Sequence, residues 1–204
     1  MAFSVAMSGY WRGRGIRSVG RLSFATRRTF LTFGSGPSDR TMTYKEKRLL
    51  GYSQEQMFDI AADVSRYKEF VPWCNDSAVI RQIPPNSCEV RLGVGFPPLS
   101  ETYHSIVTVR KPSHVRSVAQ DCHLFNHLIN EWNFHSGLRG TQQTCTVEFA
   151  VDFEFKSLLH SKIAGLFFDQ VVTMMVNAFL ERARHIHGQP AVPSQKPHIL
   201  LYKR

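Results

Sequence analysis

From Cys145 to Phe155 the chain repeats with a period of two: Val147, Phe149, Val151, Phe153 and Phe155 fall in one phase, Thr146, Glu148, Asp152 and Glu154 in the other. Successive side chains of a strand point to opposite faces, so this segment predicts a strand with one buried and one solvated face. The period recurs upstream. Cys88, Val90, Leu92, Val94 and Phe96 alternate with Glu89, Arg91 and two glycines, and Pro97-Pro98 ends that strand. Tyr103, Ser105, Val107 and Val109 alternate with Thr102, His104, Ile106 and Thr108, and Leu128, Asn130, Trp132 and Phe134 with Ile129, Glu131 and Asn133. Val115 to Ala119 reads as a shorter strand. Strands this close, joined by short turns, predict an antiparallel meander.

The flanks have a different period. Thr43 to Leu50 reads as a first strand, polar and at an edge of the sheet. Ser53-x-x-Gln56 is a capping-box pattern opening a helix with Met57, Phe58, Ala61, Ala62 and Val64 on its apolar face. A second short helix, from about Ser65 to Phe70, ends before Val71-Pro72, because a residue preceding proline leaves the α region. After the meander, Leu158 to Ile186 predicts one helix roughly 40 Å long. Its polar stripe is narrow (Lys162, Asp169, Thr173, Asn177, Glu181, Arg184), and its apolar arc spans about 200°, wider than a surface helix needs. The longest apolar runs are too short to span a bilayer. Gly188 and Pro190 stop the helix, and residues 189–204 read as a flexible tail. One arrangement satisfies every apolar face: a curved antiparallel sheet of about six or seven strands around the long C-terminal helix, with two short helices after the first strand. This is an α+β helix-grip fold, and it leaves an apolar tunnel between sheet and helix.

The formal charge of +9 on 204 residues is unevenly placed. Residues 1–40 hold seven arginines, no lysine and one acid; the remainder carries only +3. An Arg-rich, Ser-bearing, acid-poor leader predicts a mitochondrial transit peptide. Arg14, Arg17, Arg21 and Arg28 share one helical face, and the segment 34–39 is a turn-rich linker. The folded domain is therefore expected at 41–188. A mature charge of +3 offers no phosphate-binding stripe, which disfavours nucleic acid. The four cysteines are scattered without a CxxC pair, and no histidine spacing suits a metal.

The segment Val64-x-x-Tyr67-x-x-Phe70-Val71-Pro72-Trp73-Cys74 resembles the signature of the ubiquinone-binding START-domain family, within the polyketide-cyclase/START superfamily. Leu166-Phe167-Phe168 and Val176-Asn177-Ala178-Phe179-x-x-Arg182-Ala183 resemble that family's final helix. The resemblance covers about Thr43 to Gly188. It implies a START/Bet v 1-like fold that binds ubiquinone (coenzyme Q) without catalysing a reaction. It also implies a peripheral position on the matrix side of the mitochondrial inner membrane, in support of respiratory electron transport and quinone biosynthesis. Proteins of the respiratory chain or of quinone biosynthesis are the partners it suggests. No catalytic residues and no catalytic cofactor come with it.

A polyprenyl tail needs a long dry channel, and burying several hundred Å² of it at ~25 cal/mol per Å² yields on the order of 10 kcal/mol before the costs of association. Leu92, Val94, Trp132, Phe134, Phe149 and Phe153 from the sheet, with Phe167, Val171 and Met175 from the helix, are the expected walls. The Tyr67 hydroxyl, the Trp73 indole and His104 are candidate donors to the quinone head. Two readings compete. A polyketide-cyclase-like enzyme acting on an aromatic or isoprenoid substrate would need carboxylates or histidines converging on the pocket. Glu148, Asp152 and Glu154 instead occupy the wet phase. A membrane-docking module without a specific ligand would use Val71-Pro72-Trp73 and Phe96-Pro97-Pro98-Leu99.

Overall fold

Alternating strands bury their apolar phase only if something covers it, and here the cover is a helix that begins after the last long strand. The computed structural model describes residues 40–96 and 99–204; the expected leader and linker, Arg40 apart, lie outside the described residues, as does Pro97-Pro98. β1 (Thr41–Leu50) is followed by α1 (Gln54–Ala62), a 3-10 turn (Val64–Arg66) and α2 (Tyr67–Phe70). The meander is β2 (Cys74–Ile83), β3 (Ser87–Phe96), β4 (Leu99–Arg110), β5 (His114–Gln120), β6 (Phe125–Ser136) and β7 (Cys145–Phe155). Helices α3 (Leu158–Gly165) and α4 (Phe168–His187) and strand β8 (His198–Lys203) complete it. The sheet order is β2-β3-β4-β5-β6-β7-β1-β8, antiparallel at every pair, and the sheet is curved around the C-terminal helix. The helix-grip expectation holds.

Local signals act as expected around α1. Ser53 Oγ accepts from Gln56 N at 3.2 Å, and Gln56 Oε1 accepts from Ser53 N at 2.8 Å, the reciprocal pair of a capping box. Met57, Phe58, Ile60 and Ala61 are buried by the resulting helix. The predicted phases also hold: Val90 and Leu92, Tyr103 and Val107, Trp132 and Phe134, and Val147, Phe149 and Val151 are all buried. On the opposite face Glu148 pairs with Lys45 and Lys47, and Glu154 with Arg40.

The structure differs from the sequence expectation in four places. The sheet has eight strands, because β2 and β8 join it. Register shifts at Cys74/Asp76 and Val79/Arg81 reset the phase of β2, so it never shows a sustained period of two. The segment 189–204, expected to be loose, contains β8, which pairs with β1. Its Tyr202 ring packs edge-on to Tyr44 at 6.4 Å, and its hydroxyl donates to Asp169. Upstream, Ala191 N donates to Gly51 O at 2.8 Å, and the chain passes so close that a Cβ on Gly51 would lie 2.7 Å from Pro190 and Val192. Consequently β1 lies between β7 and β8 rather than at an edge.

The fourth difference is a 65° bend between α3 and α4, where one continuous helix was expected. Leu166 N bonds Ile163 O and Phe167 N bonds Ala164 O, both three residues back, so the α-helical ladder closes at Gly165. Phe167, with φ −119 and ψ 0, then re-aims the chain into α4. The bend turns Leu166 and Phe167 outward, 71% and 45% exposed. Beyond it, Phe168, Val172, Val176, Phe179 and Ala183 form the buried face of α4.

Candidate functional site

Where α4 crosses the sheet, its buried face does not fill the space below it. A cavity of about 80 Å³ lies between the inner face of β3–β7 and a cover made by α4 and the α2–β2 turn. That is smaller than the ~300–1,000 Å³ typical of small-molecule sites, so a ligand with a head and a tail fits only if the cover moves outward. Leu92, Val94, Tyr103 and Val107 form one part of the sheet wall. Val115, Ser117, Asn130, Trp132 and Phe149 form the rest. Met175 and Phe179 come from α4, with Val64, Tyr67, Val71 and Cys74 from the segment that resembled the family signature. None of these fifteen residues is charged.

The cover is held by aromatic contacts. Phe179 meets Tyr67 at 5.3 Å and Phe70 at 5.1 Å, both edge-on, and Trp132 at 4.6 Å. Such pairs contribute about 0.5–1.5 kcal/mol each beyond the area they bury, and they tie α2 to α4. Val71 leaves the helix in an extended conformation, as a residue before proline must. Trp73 follows with φ 60, in the left-handed region that bulky residues rarely adopt. Its carbonyl accepts from Gly95 N at 2.9 Å. This reversal aims Val71 and Cys74 at the cavity and carries Trp73 past it, so Trp73, expected in the lining, is not there.

Of the other expected lining residues, Tyr67, Leu92, Val94, Trp132, Phe149 and Met175 meet at the cavity. Phe134, Phe153, Phe167 and Val171 do not. Phe134 faces inward, but α1 covers it: Phe58 packs edge-on at 6.1 Å, and Gln54 Nε2 donates to Phe134 O at 2.8 Å. Phe153 belongs to a cluster with Phe125, Phe155 and Phe168 under the start of α4. Phe167 is exposed at the bend, and Val171, one turn later, is half-buried outside the cavity. The lining residues that sequence reasoning passed over include Val71 and Cys74, which lie in a turn without periodicity; Val64 had been placed only on the apolar face of the first helix. Phe179 had been named only within the last-helix segment that resembles the family. Tyr103, Val107, Val115, Ser117 and Asn130 share the inward phase of their strands, so the phase was the signal that could have found them.

The candidate donors also sort differently. Tyr67 donates its hydroxyl to Ala61 O at 2.6 Å, and burial raises its pKa far above the ordinary tyrosine value. His104 lies on the outer face and meets Glu89 at 2.8 Å; that contact holds the Glu89 carboxyl below the usual range. Burial pushes the Cys74 thiol up to about 11, so it is neutral at physiological pH.

A buried ion pair lies close by. Glu46, 3% exposed, accepts from Tyr44 at 2.5 Å and pairs with Arg48 at 3.0 Å. Trp132, Phe149 and Phe179 line both the main cavity and a smaller void beside this pair, so they stand between it and the larger space. Among the described residues no cluster of three potential ligands suits a metal ion.

A curved sheet gripping a helix over an apolar cavity defines a helix-grip ligand-binding architecture. The chain belongs to the polyketide cyclase/dehydrase and lipid transport family, matched over residues 50–180. It is 48% identical over 167 residues to the mitochondrial coenzyme Q-binding protein COQ10 homolog B of Xenopus laevis, covering 81% of this chain and 68% of that one. It is 41% identical over 182 residues to the mitochondrial coenzyme Q-binding protein COQ10 of Drosophila melanogaster, covering 89% and 73%. These relatives bear out the resemblance carried by Val64–Cys74 and by the last helix. Among solved structures, the Zhui aromatase/cyclase of Streptomyces superposes with a TM-score of 0.61 at 13% identity, covering 72% of this chain and 96% of that one. At that identity it shows the fold alone.

Proposed function

We propose that the chain binds ubiquinone in this cavity and carries or chaperones it, rather than transforming it, in support of respiratory electron transport and quinone biosynthesis. The observation that supports this most is the chemistry of the lining: apolar and aromatic side chains with a few neutral polar groups, in a chain whose relatives are named for coenzyme Q binding. General acid–base catalysis needs a titratable group within reach of the ligand; those in the lining are Tyr67, Tyr103 and Cys74, and burial raises the pKa of each and keeps it neutral. The acids Glu148 and Glu154 are held by cations on the far face of the sheet, and Glu46 lies behind an aromatic wall. A cyclase reading therefore has the fold in its favour and not the cavity. The full chain, purified from ubiquinone-containing cells and extracted with organic solvent, should yield close to one ubiquinone per folded protein. A well-folded protein that yields nothing, or a mixture of unrelated lipids, would sink the proposal.

A ligand that lives in a bilayer must be collected there, and we place the protein peripherally on the matrix side of the mitochondrial inner membrane. The α3 helix supports this placement. Leu158, Leu159 and Leu166 are 53%, 64% and 71% exposed on the side that also carries Lys162. A helix with one apolar face and a cation suits insertion at an anionic interface. Leu159→Glu combined with Leu166→Glu should weaken binding to vesicles containing anionic lipid by about a hundredfold, read by sedimentation, since two leucines at ~1.5 kcal/mol each contribute about 3 kcal/mol when buried. Both residues are exposed, so the melting temperature should stay put. Unchanged sedimentation would move the docking surface elsewhere.

A further inference from the structure

We propose that the quinone head is recognised by a polar diagonal on the sheet wall, made by Tyr103, Ser117 and Asn130, which accepts the oxidised and the reduced head alike. This rests on the ubiquinone reading and adds where and how the head is held.

The diagonal follows from strand register. Val107 of β4 lies opposite Ser117 of β5, which lies opposite Asn130 of β6, and all three face the cavity. Two residues before Val107 on the same face, Ser105 is fully buried, and its Oγ lies 2.6 Å from Ser117 Oγ. Two residues earlier again is Tyr103, 6% exposed and lining the cavity. Four polar side chains thus run across three adjacent strands, in the phase that the rest of the wall fills with valine, leucine and aromatic rings.

Their hydrogen-bonding capacity is only partly used. Among the described residues the Tyr103 hydroxyl and the Asn130 side-chain amide have no hydrogen-bond partner in the protein, and neither is sealed off from the cavity they line. In the serine pair one hydroxyl donates to the other, which leaves one hydroxyl proton over. Polar groups in an apolar wall cost stability unless something satisfies them. Three neighbouring ones aimed into one cavity describe a ligand with several oxygens along one edge. A benzoquinone head bearing two carbonyls and two methoxy groups has that pattern.

The residue types also bear on redox state. The oxidised head only accepts hydrogen bonds, whereas the quinol donates two. Tyrosine and serine hydroxyls and the asparagine amide can each do either by rotation. Burial raises the Tyr103 pKa well above the ordinary tyrosine value, so its proton stays available. No fixed charge lines the cavity to favour one form.

The test uses the full chain with three probes: a short-tailed ubiquinone, its quinol kept reduced under anaerobic conditions, and an isoprenoid hydrocarbon of similar length without a head. Tyr103→Phe keeps the ring in the core, and Asn130→Leu keeps the volume. Each should weaken both quinone forms by about fivefold, the loss of one neutral hydrogen bond, and the pair by roughly twentyfold to thirtyfold. Hydrocarbon binding and melting temperature should not fall. The unmodified chain should bind the two redox forms within about threefold of each other. Quinone affinities untouched by both substitutions would overturn the head site while leaving ubiquinone binding intact. A preference above about thirtyfold for one form would overturn the redox-neutral recognition. A wild-type chain that binds the hydrocarbon and neither quinone would overturn the ubiquinone reading itself.

Discussion

Met175→Arg is expected to leave the protein folded and almost free of ubiquinone, whereas Val171→Arg leaves the quinone in place. The two residues are one turn apart on α4, and the sequence places both on the apolar arc. In the structure Met175 lines the cavity and Val171 does not. An arginine at 175 brings a guanidinium to a wall without a charged residue, where no carboxylate can pair with it. Since Met175 is only half-buried, the long side chain can keep its charge near water and let the protein fold. Its stem and its hydration then occupy the space of the ligand. Extracted quinone per chain should fall below about a tenth of the wild-type value, which corresponds to at least ~1.4 kcal/mol of binding. The measurement is quinone content by chromatography beside a thermal melt of the same preparation. Quinone lost from Val171→Arg and kept by Met175→Arg would put the ligand at the α3–α4 bend instead.

Glu46→Ala should be among the most damaging single substitutions in the domain, at about 3–5 kcal/mol. Two groups depend on this carboxylate, the Tyr44 hydroxyl and the Arg48 guanidinium, whose side chain is only 11% exposed. Arg48 Nε is already buried without a partner, so loss of Glu46 leaves a buried cation with little to hold it. The cost comes from breaking the pair, not from an intrinsic advantage of having it. Replacing both partners, Glu46→Met with Arg48→Leu, should therefore recover most of the loss, to within about 1 kcal/mol of wild type. Urea denaturation of the three proteins decides the matter. A single substitution costing under about 1 kcal/mol would mean that water reaches the pair and that the aromatic wall is not closed.

The sequence by itself determined the parts of this protein in which one chain segment decides its own environment. The period of two in β3, β4, β6 and β7 is a local property, because alternation assigns each side chain to a face before any partner is known. The apolar arc of α4 and the capping box of α1 are local in the same sense. Together these elements leave few arrangements other than a sheet closing on a helix.

Only the tertiary structure decided the rest. β2 and β8 were illegible because bulges break the phase of one and the other is exposed along its whole length. The first strand looked like a polar edge because no local rule places Glu46 and Arg48 inside; their mutual pairing across one face of β1 does so. The bend at Gly165 turned Phe167 away from the face that helical periodicity had given it, and the left-handed conformation of Trp73 carried that ring past the cavity. The cavity itself is a property of what stands opposite each inward residue. Phe134 meets Phe58 and is core; Asn130, four residues earlier in the same phase, meets empty space and is wall. Phase along a strand tells which way a side chain points. Whether another side chain is waiting there depends on segments far apart in the chain, and that is settled only when they pack.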